Sequence, residues 1–322
     1  MTRIALVFPG QGSQKVGMGQ GWAERSAAAR ATFEEADEAL GMELSRLVRE
    51  GPEEELVLTA NTQPAILATS VAILRGLEEE GVALSPAAVA GHSLGEYTAL
   101  VAAGALQFGE ALRLVRRRGE LMQEAVPAGE GAMAAILGLD AAAVEEIVAD
   151  AQGDDGVVAV ANYNAPEQTV VAGHAAPVER AVGLAKERGA KRAMTLPVSA
   201  PFHSPLMAPA RRGMTPLLDA ADFRDSAVPV VVNVDARPLA QGPELRNALV
   251  RQIDGAVRWV ESVERMAGEM GIGLFVEVGP GSVLSGLVRR IAPDAGALSL
   301  AEPSGLDKLA AALGADRGGD AG

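Results

Sequence analysis

Cysteine is absent from this 322-residue sequence, and histidine occurs only at positions 92, 174 and 203. Without cysteine the chain has no disulfide, no thiolate nucleophile and no cysteine-ligated zinc site. Any imidazole that acts as a general base must therefore be His92, His174 or His203. Aromatic residues make up only 3% of the chain, so alanine, valine and leucine have to fill the core.

Positive charge and long apolar runs are also scarce. The formal net charge is −14, which argues against binding to nucleic acid or to an anionic membrane surface. No apolar run approaches the ~20 residues that a membrane-spanning helix requires. The N-terminal apolar run is short and stops at Pro9-Gly10, unlike the longer run of a secretory signal. We therefore expect a cytoplasmic protein.

The hydrophobic pattern predicts an α/β protein. We expect residues 1–128 and 198–310 to form one core with a mainly parallel sheet. Between them, residues 129–197 have the order strand, helix, strand, strand, helix, strand, which is typical of a ferredoxin-like small domain. Residues 311–322 are expected to be a flexible tail. Strands are predicted at 3–8, 87–90, 131–138, 157–162, 168–173, 191–197, 228–234 and 273–278, and helices around 27–40 and 44–50 among others.

The strongest local motif is GHSLG at 91–95, which fits the G-x-S-x-G nucleophile elbow between a strand and a helix. Glycines permit the sharp turn that exposes the Ser93 hydroxyl, and the following helix offers free N–H groups. An oxyanion would then lie against the Leu94 N–H. In the competing interpretation Ser93 merely caps the helix, because Glu96 three residues later completes a capping box.

A nucleophilic serine needs a base, and His203 is the favoured candidate. It lies in the Ser/Pro-rich stretch 199–205, a loop at the junction with the small domain, where clefts form. His92 adjoins the nucleophile and should point elsewhere, and His174 has the setting of a turn residue. No Asp or Glu clearly completes a triad, so a backbone carbonyl or an amide is expected to orient the imidazole.

The glycine-containing loop PGQGSQ at 9–14 follows the first strand. It is neither a phosphate loop, since the Lys-Ser/Thr pair is missing, nor a dinucleotide fingerprint, since Lys15 replaces the third glycine. Either it is an ordinary turn or Gln11 completes an oxyanion hole. Further along, Arg116, Arg117 and Arg118 point in three directions around a helix, so one of them can face the cleft.

Taken together, these segments resemble the malonyl-CoA:acyl-carrier-protein transacylases of fatty-acid synthesis, a family that includes the acyltransferase domains of polyketide synthases. The similarity covers nearly the whole chain in order. The matching stretches are FPGQGSQ at 8–14, NTQPA at 61–65, GHSLGEY at 91–97, RRGELMQEAVP at 117–127, NYNAPEQTVVAG at 162–173, PVSAPFHS at 197–204 and FVEVGPGSVLSGL at 275–287. The resemblance implies a hydrolase-like core with a ferredoxin-like insert.

The resemblance also implies catalytic roles. Ser93 carries the acyl ester and His203 is the base and then the acid. The amide of Gln11 and the N–H of Leu94 form the oxyanion hole. Gln252 stands where the family has a residue whose backbone carbonyl orients the histidine. No metal and no cofactor is required.

Other positions bear on the acyl group. By resemblance, Arg118 holds the malonyl carboxylate, and His92 and Asn162 line and support the cleft. A branched aliphatic residue after the serine and a phenylalanine before the histidine accompany malonyl in this family. Leu94 and Phe202 fit that pattern, since a bulky ring leaves no room for a methyl group on the α-carbon.

The implied reaction is a ping-pong transfer of malonyl from malonyl-CoA to the phosphopantetheine thiol of acyl carrier protein. The carrier proteins of this pathway are acidic, as is this chain, so a local basic patch has to receive them. Lys191 and Arg192 are the predicted patch. We expect a monomer.

Three alternatives stay open. A serine hydrolase of neutral esters has no use for a buried Arg118 in the acyl pocket. The acyltransferase subunit of a malonate decarboxylase, or a separate acyltransferase serving a polyketide synthase, shares the whole set of motifs. A non-catalytic acyl-binding module predicts the loss of the serine or the histidine, yet both are present.

Overall fold

A computed structural model describes residues 2–127, 129–198 and 200–314 and shows an α/β protein with two sheets. The strands β1–β11 are Ile4–Phe8, Ala88–Gly91, Gly131–Leu137, Val158–Ala165, Gln168–His174, Arg192–Thr195, Val230–Val231, Pro238–Leu239, Val257–Arg258, Leu274–Glu277 and Gly296–Ser299. The helices α1–α14 are Gln20–Arg25, Ala27–Leu40, Leu44–Glu50, Glu53–Leu56, Thr59–Glu79, Gly95–Ala102, Phe108–Glu124, Ala141–Asp150, Ala175–Glu187, Ala208–Ala220, Gly242–Gln252, Trp259–Ala267, Val283–Ile291 and Gly305–Gly314.

The first sheet has the strand order β11-β10-β1-β2-β7-β8. Neighbouring strands are parallel except for β8, which runs antiparallel to β7. Residues of β1 and β2 are buried on both faces, as expected for a parallel sheet covered by helices. The carboxyl ends of β1, β2, β7 and β10 share one edge, and ligands of open α/β sheets bind at that edge.

The second sheet has the order β6-β3-β5-β4-β9. Each of its first four strands is antiparallel to its neighbour among them. Helices α8 and α9 cover one face of this sheet through a separate apolar cluster that includes Ile136, Ile147 and Val178. The short strand β9 comes from the later part of the chain and pairs in parallel with β4, Asn162 opposite Val257. The two sheets are thus joined through β9 and α12.

Most predicted elements agree with the structure within a few residues, and α2 and α3 agree residue for residue. The strand predicted at 228–234 is wrong in length. Only Val230–Val231 pairs, because the Val232 N–H bonds to Arg237 O and turns the chain out of the sheet. The edge strand β11 was not predicted, since Gly296 and Ala297 carry a weak strand signal.

The predicted tail at 311–322 is partly corrected. Residues 311–314 form the last turn of α14. Residues 315–322 lie outside the described part of the chain.

Candidate active site

The elbow between β2 and α6 is a tight turn that only glycines at both ends permit. A Cβ on Gly91 would lie 1.9 Å from the backbone of Gly95, and one on Gly95 would lie 2.2 Å from the Phe8 carbonyl oxygen. Between them Ser93 adopts the left-handed conformation, with φ 52°. A non-glycine residue rarely takes this conformation, so the surrounding contacts must hold it there.

Ser93 is not a helix cap. No side chain caps α6, and the Ser93 hydroxyl lies 2.7 Å from His203 Nε2. Glu96 does not reach back to Ser93 either, because its Oε2 accepts the Asn233 N–H over 2.7 Å. The capping-box interpretation is therefore wrong, since the left-handed turn directs the hydroxyl toward the cleft.

His203 is oriented by backbone carbonyls. Its Nδ1 lies 3.0 Å from Gln252 O and 3.1 Å from Gly255 O, and both of these atoms can only accept. Nδ1 therefore carries the hydrogen, and Nε2 is left to accept the Ser93 O–H. Within the described ranges no carboxylate bonds to this ring, so the Ser-His pair has no acidic third member there.

The imidazole of His203 is kept neutral by its surroundings. Burial lowers its pKa, the positive charge of Arg118 lowers it further, and together they bring it to about 3. The two carbonyls at Nδ1 act in the opposite direction and are outweighed. A neutral imidazole beside a serine hydroxyl can accept its proton.

Arg118 is a buried cation with no acidic hydrogen-bond partner in the part of the chain that is described. Its side chain is 2% exposed. Nη1 donates to Gln63 Oε1 over 2.8 Å, and Nη2 donates to Gln252 Oε1 over 2.9 Å and to Ser93 Oγ over 3.1 Å. Nε has no partner there. A desolvated guanidinium with spare donors is suited to a carboxylate brought in by a ligand.

The two arginines that directly precede Arg118 on this helix face outward. Arg116 bonds to Glu120 and to the carbonyl of Ala60, and Arg117 pairs with Glu120 on the exposed side of α7. Of the three adjacent residues, Arg118 alone is fully buried.

Two backbone N–H groups at the strand ends are open. The N–H of Leu94 follows Ser93, and the N–H of Gln11 lies in the loop after β1. Neither has an acceptor among the described residues. The side-chain amide of Gln11 is engaged elsewhere, donating to Thr59 Oγ1 over 3.2 Å. If Gln11 serves an oxyanion, its backbone N–H is therefore the available donor.

A cavity of about 140 Å³ opens beside the elbow; its lining comprises Pro9, Gly10, Gln11, Gly12, Ser13, His92, Asn164, Gln168, Val283, Leu284 and Leu287.

His92 points away from the Ser-His pair, with Nε2 2.8 Å from Asn164 Oδ1 and its ring beside Trp259. The predicted support Asn162 is buried two positions earlier on β4, and Asn164 makes the contact to His92. Phe202 is buried next to His203.

The predicted carrier patch lies on the small sheet. Arg192 begins β6 and is exposed, and Lys191 pairs with Glu167 over 3.0 Å. Arg192 lies opposite Leu137 on β3, and Leu137 lies opposite the cavity residue Gln168 on β5. The patch is therefore two strands away from the cavity.

The described ranges contain no cluster of three or more acidic or histidine side chains able to hold a metal ion. No helix there has the length and apolar character needed to cross a membrane.

Two site residues were not singled out from the sequence, and a third was named only as a capping residue. Gln63 accepts a hydrogen bond from Arg118, Asn233 accepts one from the Ser93 N–H, and the Glu96 N–H donates to Ser93 O. Gln63 lies within the NTQPA motif and Glu96 within GHSLGEY, so the motifs contained them. Asn233 carries no such signal, and only the packing of β7 against β2 brings it to Ser93.

This chain is similar to known proteins over nearly its whole length. The family of the acyl transferase domain matches residues 5–300. The malonyl CoA-acyl carrier protein transacylase of Bacillus subtilis is 48% identical over 307 residues, covering 95% of this chain and 96% of the relative. The crystal structure of an acyl carrier protein S-malonyltransferase from Vibrio cholerae is 47% identical with TM-score 0.93, covering 96% of this chain and 100% of that chain.

A further solved structure contains a carrier partner. It is a malonyl-transacylase in complex with a type II polyketide acyl-carrier protein, 45% identical with TM-score 0.92, covering 95% of this chain and 98% of that chain. Relatives of this identity, matched over almost their full length, leave no doubt about descent. The chain belongs to the acyl transferase domain family, together with the malonyl CoA-acyl carrier protein transacylases.

Proposed function

We propose that this protein transfers a malonyl group from malonyl-CoA to the phosphopantetheine thiol of acyl carrier protein in fatty-acid synthesis. The observation that carries the proposal is Arg118, a buried cation 3.1 Å from the hydroxyl of the Ser-His pair and without a carboxylate hydrogen-bond partner among the described residues. An acyl group that bears a carboxylate supplies the missing charge.

In the first half of the reaction, the neutral His203 Nε2 takes the Ser93 proton as Oγ forms a bond to the thioester carbon. The electron pair of the carbonyl moves onto oxygen, which accepts hydrogen bonds from Leu94 and Gln11 N–H. The tetrahedral intermediate then collapses, and the C–S bond breaks. The imidazolium gives its proton to the leaving CoA sulfur, leaving malonyl-Ser93.

In the second half, the carrier's pantetheine thiol gives its proton to His203 and attacks the ester carbon. The C–O bond to Ser93 breaks, and the imidazolium returns a proton to Oγ. The Gln252 and Gly255 carbonyls at Nδ1 stabilise the imidazolium in both halves, in place of an acid.

The finer points of architecture and location belong to the same proposal. We assign residues 1–128 and 198–310 to a hydrolase-like core and 129–197 to a ferredoxin-like domain. The order β6-β3-β5-β4 supports the second assignment, because it places the strands of this segment in the order fourth, first, third, second. The cytoplasmic location and the monomeric state stay predictions.

The alternatives are less well supported. A hydrolase of neutral esters gains nothing from a buried Arg118. A binding module has no need for a serine hydroxyl 2.7 Å from a neutral imidazole. A subunit of a malonate decarboxylase or an enzyme serving a polyketide synthase differs only in the acceptor, so the choice of carrier protein distinguishes it.

The test is intact-mass measurement after brief incubation with malonyl-CoA. We expect one malonyl adduct on the wild type, none on Ser93→Ala, and the usual adduct on the control Ser262→Ala, whose buried hydroxyl donates to Arg258 O. The adduct should then move to a carrier that bears phosphopantetheine and not to one that lacks it. A wild type without adduct refutes the proposal.

A further inference from the structure

Two buried polar residues at the elbow have no role in the proposed chemistry. Asn233 follows β7, and Glu96 lies in the first turn of α6. Asn233 Oδ1 accepts the Ser93 N–H over 2.7 Å, and its Nδ2 donates to Gly91 O over 2.6 Å. Its own N–H donates to Glu96 Oε2 over 2.7 Å. Both polar atoms of the Asn233 side chain therefore bind the backbone of the elbow.

The conformation that these bonds restrain is unfavourable by itself. A left-handed φ is sterically unfavourable for a residue with a Cβ, and Ser93 has φ 52°. A serine that relaxed to a negative φ would carry its hydroxyl away from His203 Nε2. The elbow therefore requires bonds from outside the turn.

The peptide group on the other side of Ser93 is also held. Gln252 Nε2 donates to Ser93 O over 2.9 Å, and the Glu96 N–H donates to the same oxygen over 3.0 Å. In a planar trans peptide the N–H points opposite to the C=O. Bonds that fix Ser93 O thus also fix the direction of the Leu94 N–H, the proposed oxyanion donor.

We propose that Asn233 is a positioning residue for this site. Supported by Glu96, and with Gln252 on the second peptide, it holds Ser93 in the left-handed conformation. Ser93 Oγ then stays on His203 Nε2 and the Leu94 N–H faces the cleft. The inference rests on the proposed function, because acylation of Ser93 is its measure.

The main test is the single-turnover rate of malonyl-adduct formation in Asn233→Ala. We expect this rate to fall on the order of 10- to 100-fold, the effect of a misplaced nucleophile. The KM for malonyl-CoA should stay within about twofold, because Arg118 and the cavity lining are untouched. Thr69→Val is the matched control, since it removes a buried hydroxyl that donates to Ala65 O within its own helix. It should acylate at the wild-type rate.

A second pair of variants keeps the test valid if Asn233→Ala folds poorly. Glu96→Gln retains an oxygen for the Asn233 N–H and should acylate within about threefold of the wild type, whereas Glu96→Ala should fall at least about tenfold. Rates are compared per folded molecule, from thermal unfolding of each sample. Wild-type rates in folded Asn233→Ala or in Glu96→Ala overturn the positioning role while leaving the proposed function intact. A wild type that forms no adduct overturns the function itself.

Discussion

Arg118 donates a hydrogen bond from Nη2 to Ser93 Oγ over 3.1 Å, so the serine hydroxyl lies between a neutral imidazole and a buried cation. The same Nη2 donates to Gln252 Oε1, and the backbone oxygen of Gln252 lies at hydrogen-bond distance from the imidazole Nδ1. The guanidinium of Arg118 and the imidazole of His203 therefore share Gln252 as a supporting residue. The sequence predicted a role for the Gln252 carbonyl, and the structure adds the contacts of its side chain.

Removal of the buried cation should change the preference for the acyl group. We expect Arg118→Ala to reduce kcat/KM for malonyl-CoA by the equivalent of roughly 2–5 kcal/mol, since one member of a desolvated charge pair is lost. Acetyl-CoA has no carboxylate to lose, so its kcat/KM should fall much less. The control Arg117→Ala, exposed on the same helix, should behave as the wild type. Equal losses for malonyl and acetyl contradict the assignment.

The ring of Phe202 should exclude a methyl branch on the acyl group. We expect Phe202→Ala to raise the ratio of methylmalonyl to malonyl transfer by about tenfold or more, the usual scale for discrimination by one methyl group. Phe33→Ala removes an equally buried ring from the core and serves as the control. An unchanged ratio in Phe202→Ala would show that another residue shapes the α-carbon site.

The lowered pKa of His203 should show in the pH dependence of Ser93 reactivity. The neutral imidazole is the active form, and its pKa of about 3 keeps it neutral well below pH 6.5. Inactivation by an uncharged sulfonyl fluoride should therefore stay fast from pH 7 down to about 5. Removal of the Arg118 charge in Arg118→Met should raise the pKa of His203, so that the inactivation rate begins to fall at a higher pH. A wild-type inactivation rate that already falls near the ordinary pKa of histidine argues against this account.

The buried carboxyl of Glu96 should make the folded protein less stable as the pH rises. Burial raises its pKa from 4.5 to about 7. Its favourable contribution is present below pH 4.5 and is lost as the pH rises through 7, because the folded state holds a proton that the unfolded state releases. Relative to the wild type, Glu96→Gln should gain up to about 3 kcal/mol of unfolding free energy over that range. Urea titrations at several pH values measure it, and a constant difference contradicts it.

Charge reversal should weaken recognition of the acidic carrier. We expect the double variant Lys191→Glu, Arg192→Glu to raise the KM for carrier protein several-fold at low salt and to leave the acylation rate with malonyl-CoA unchanged. Lys308→Glu on α14 makes a matched exposed control. Because Lys191 is paired with Glu167, Arg192 should contribute more of the effect. An unchanged KM for carrier protein would show that the carrier binds at another surface of the protein.

The sequence by itself determined the features that depend on a few neighbouring residues. Gly91 permits the elbow because a Cβ there would overlap the backbone of Gly95, a steric rule that operates within five residues, whereas the Cβ excluded at Gly95 would overlap Phe8 O on β1. The count of histidines and the turn-rich setting of His203 singled out the base. The hydrophobic period placed α2 and α3 without error.

Only the tertiary structure decided which side chains from distant segments meet. Three adjacent arginines have the same side chain, so their sequence alone does not say which one is buried. The packing of α7 against α5 buries Arg118 and leaves Arg116 and Arg117 nearer the surface. Asn233 lies 140 positions after Ser93, and the pairing of β7 with β2 brings it to the elbow. Local sterics set the shape of the turn, whereas the hydrogen bonds that hold its strained serine depend on how whole strands and helices pack.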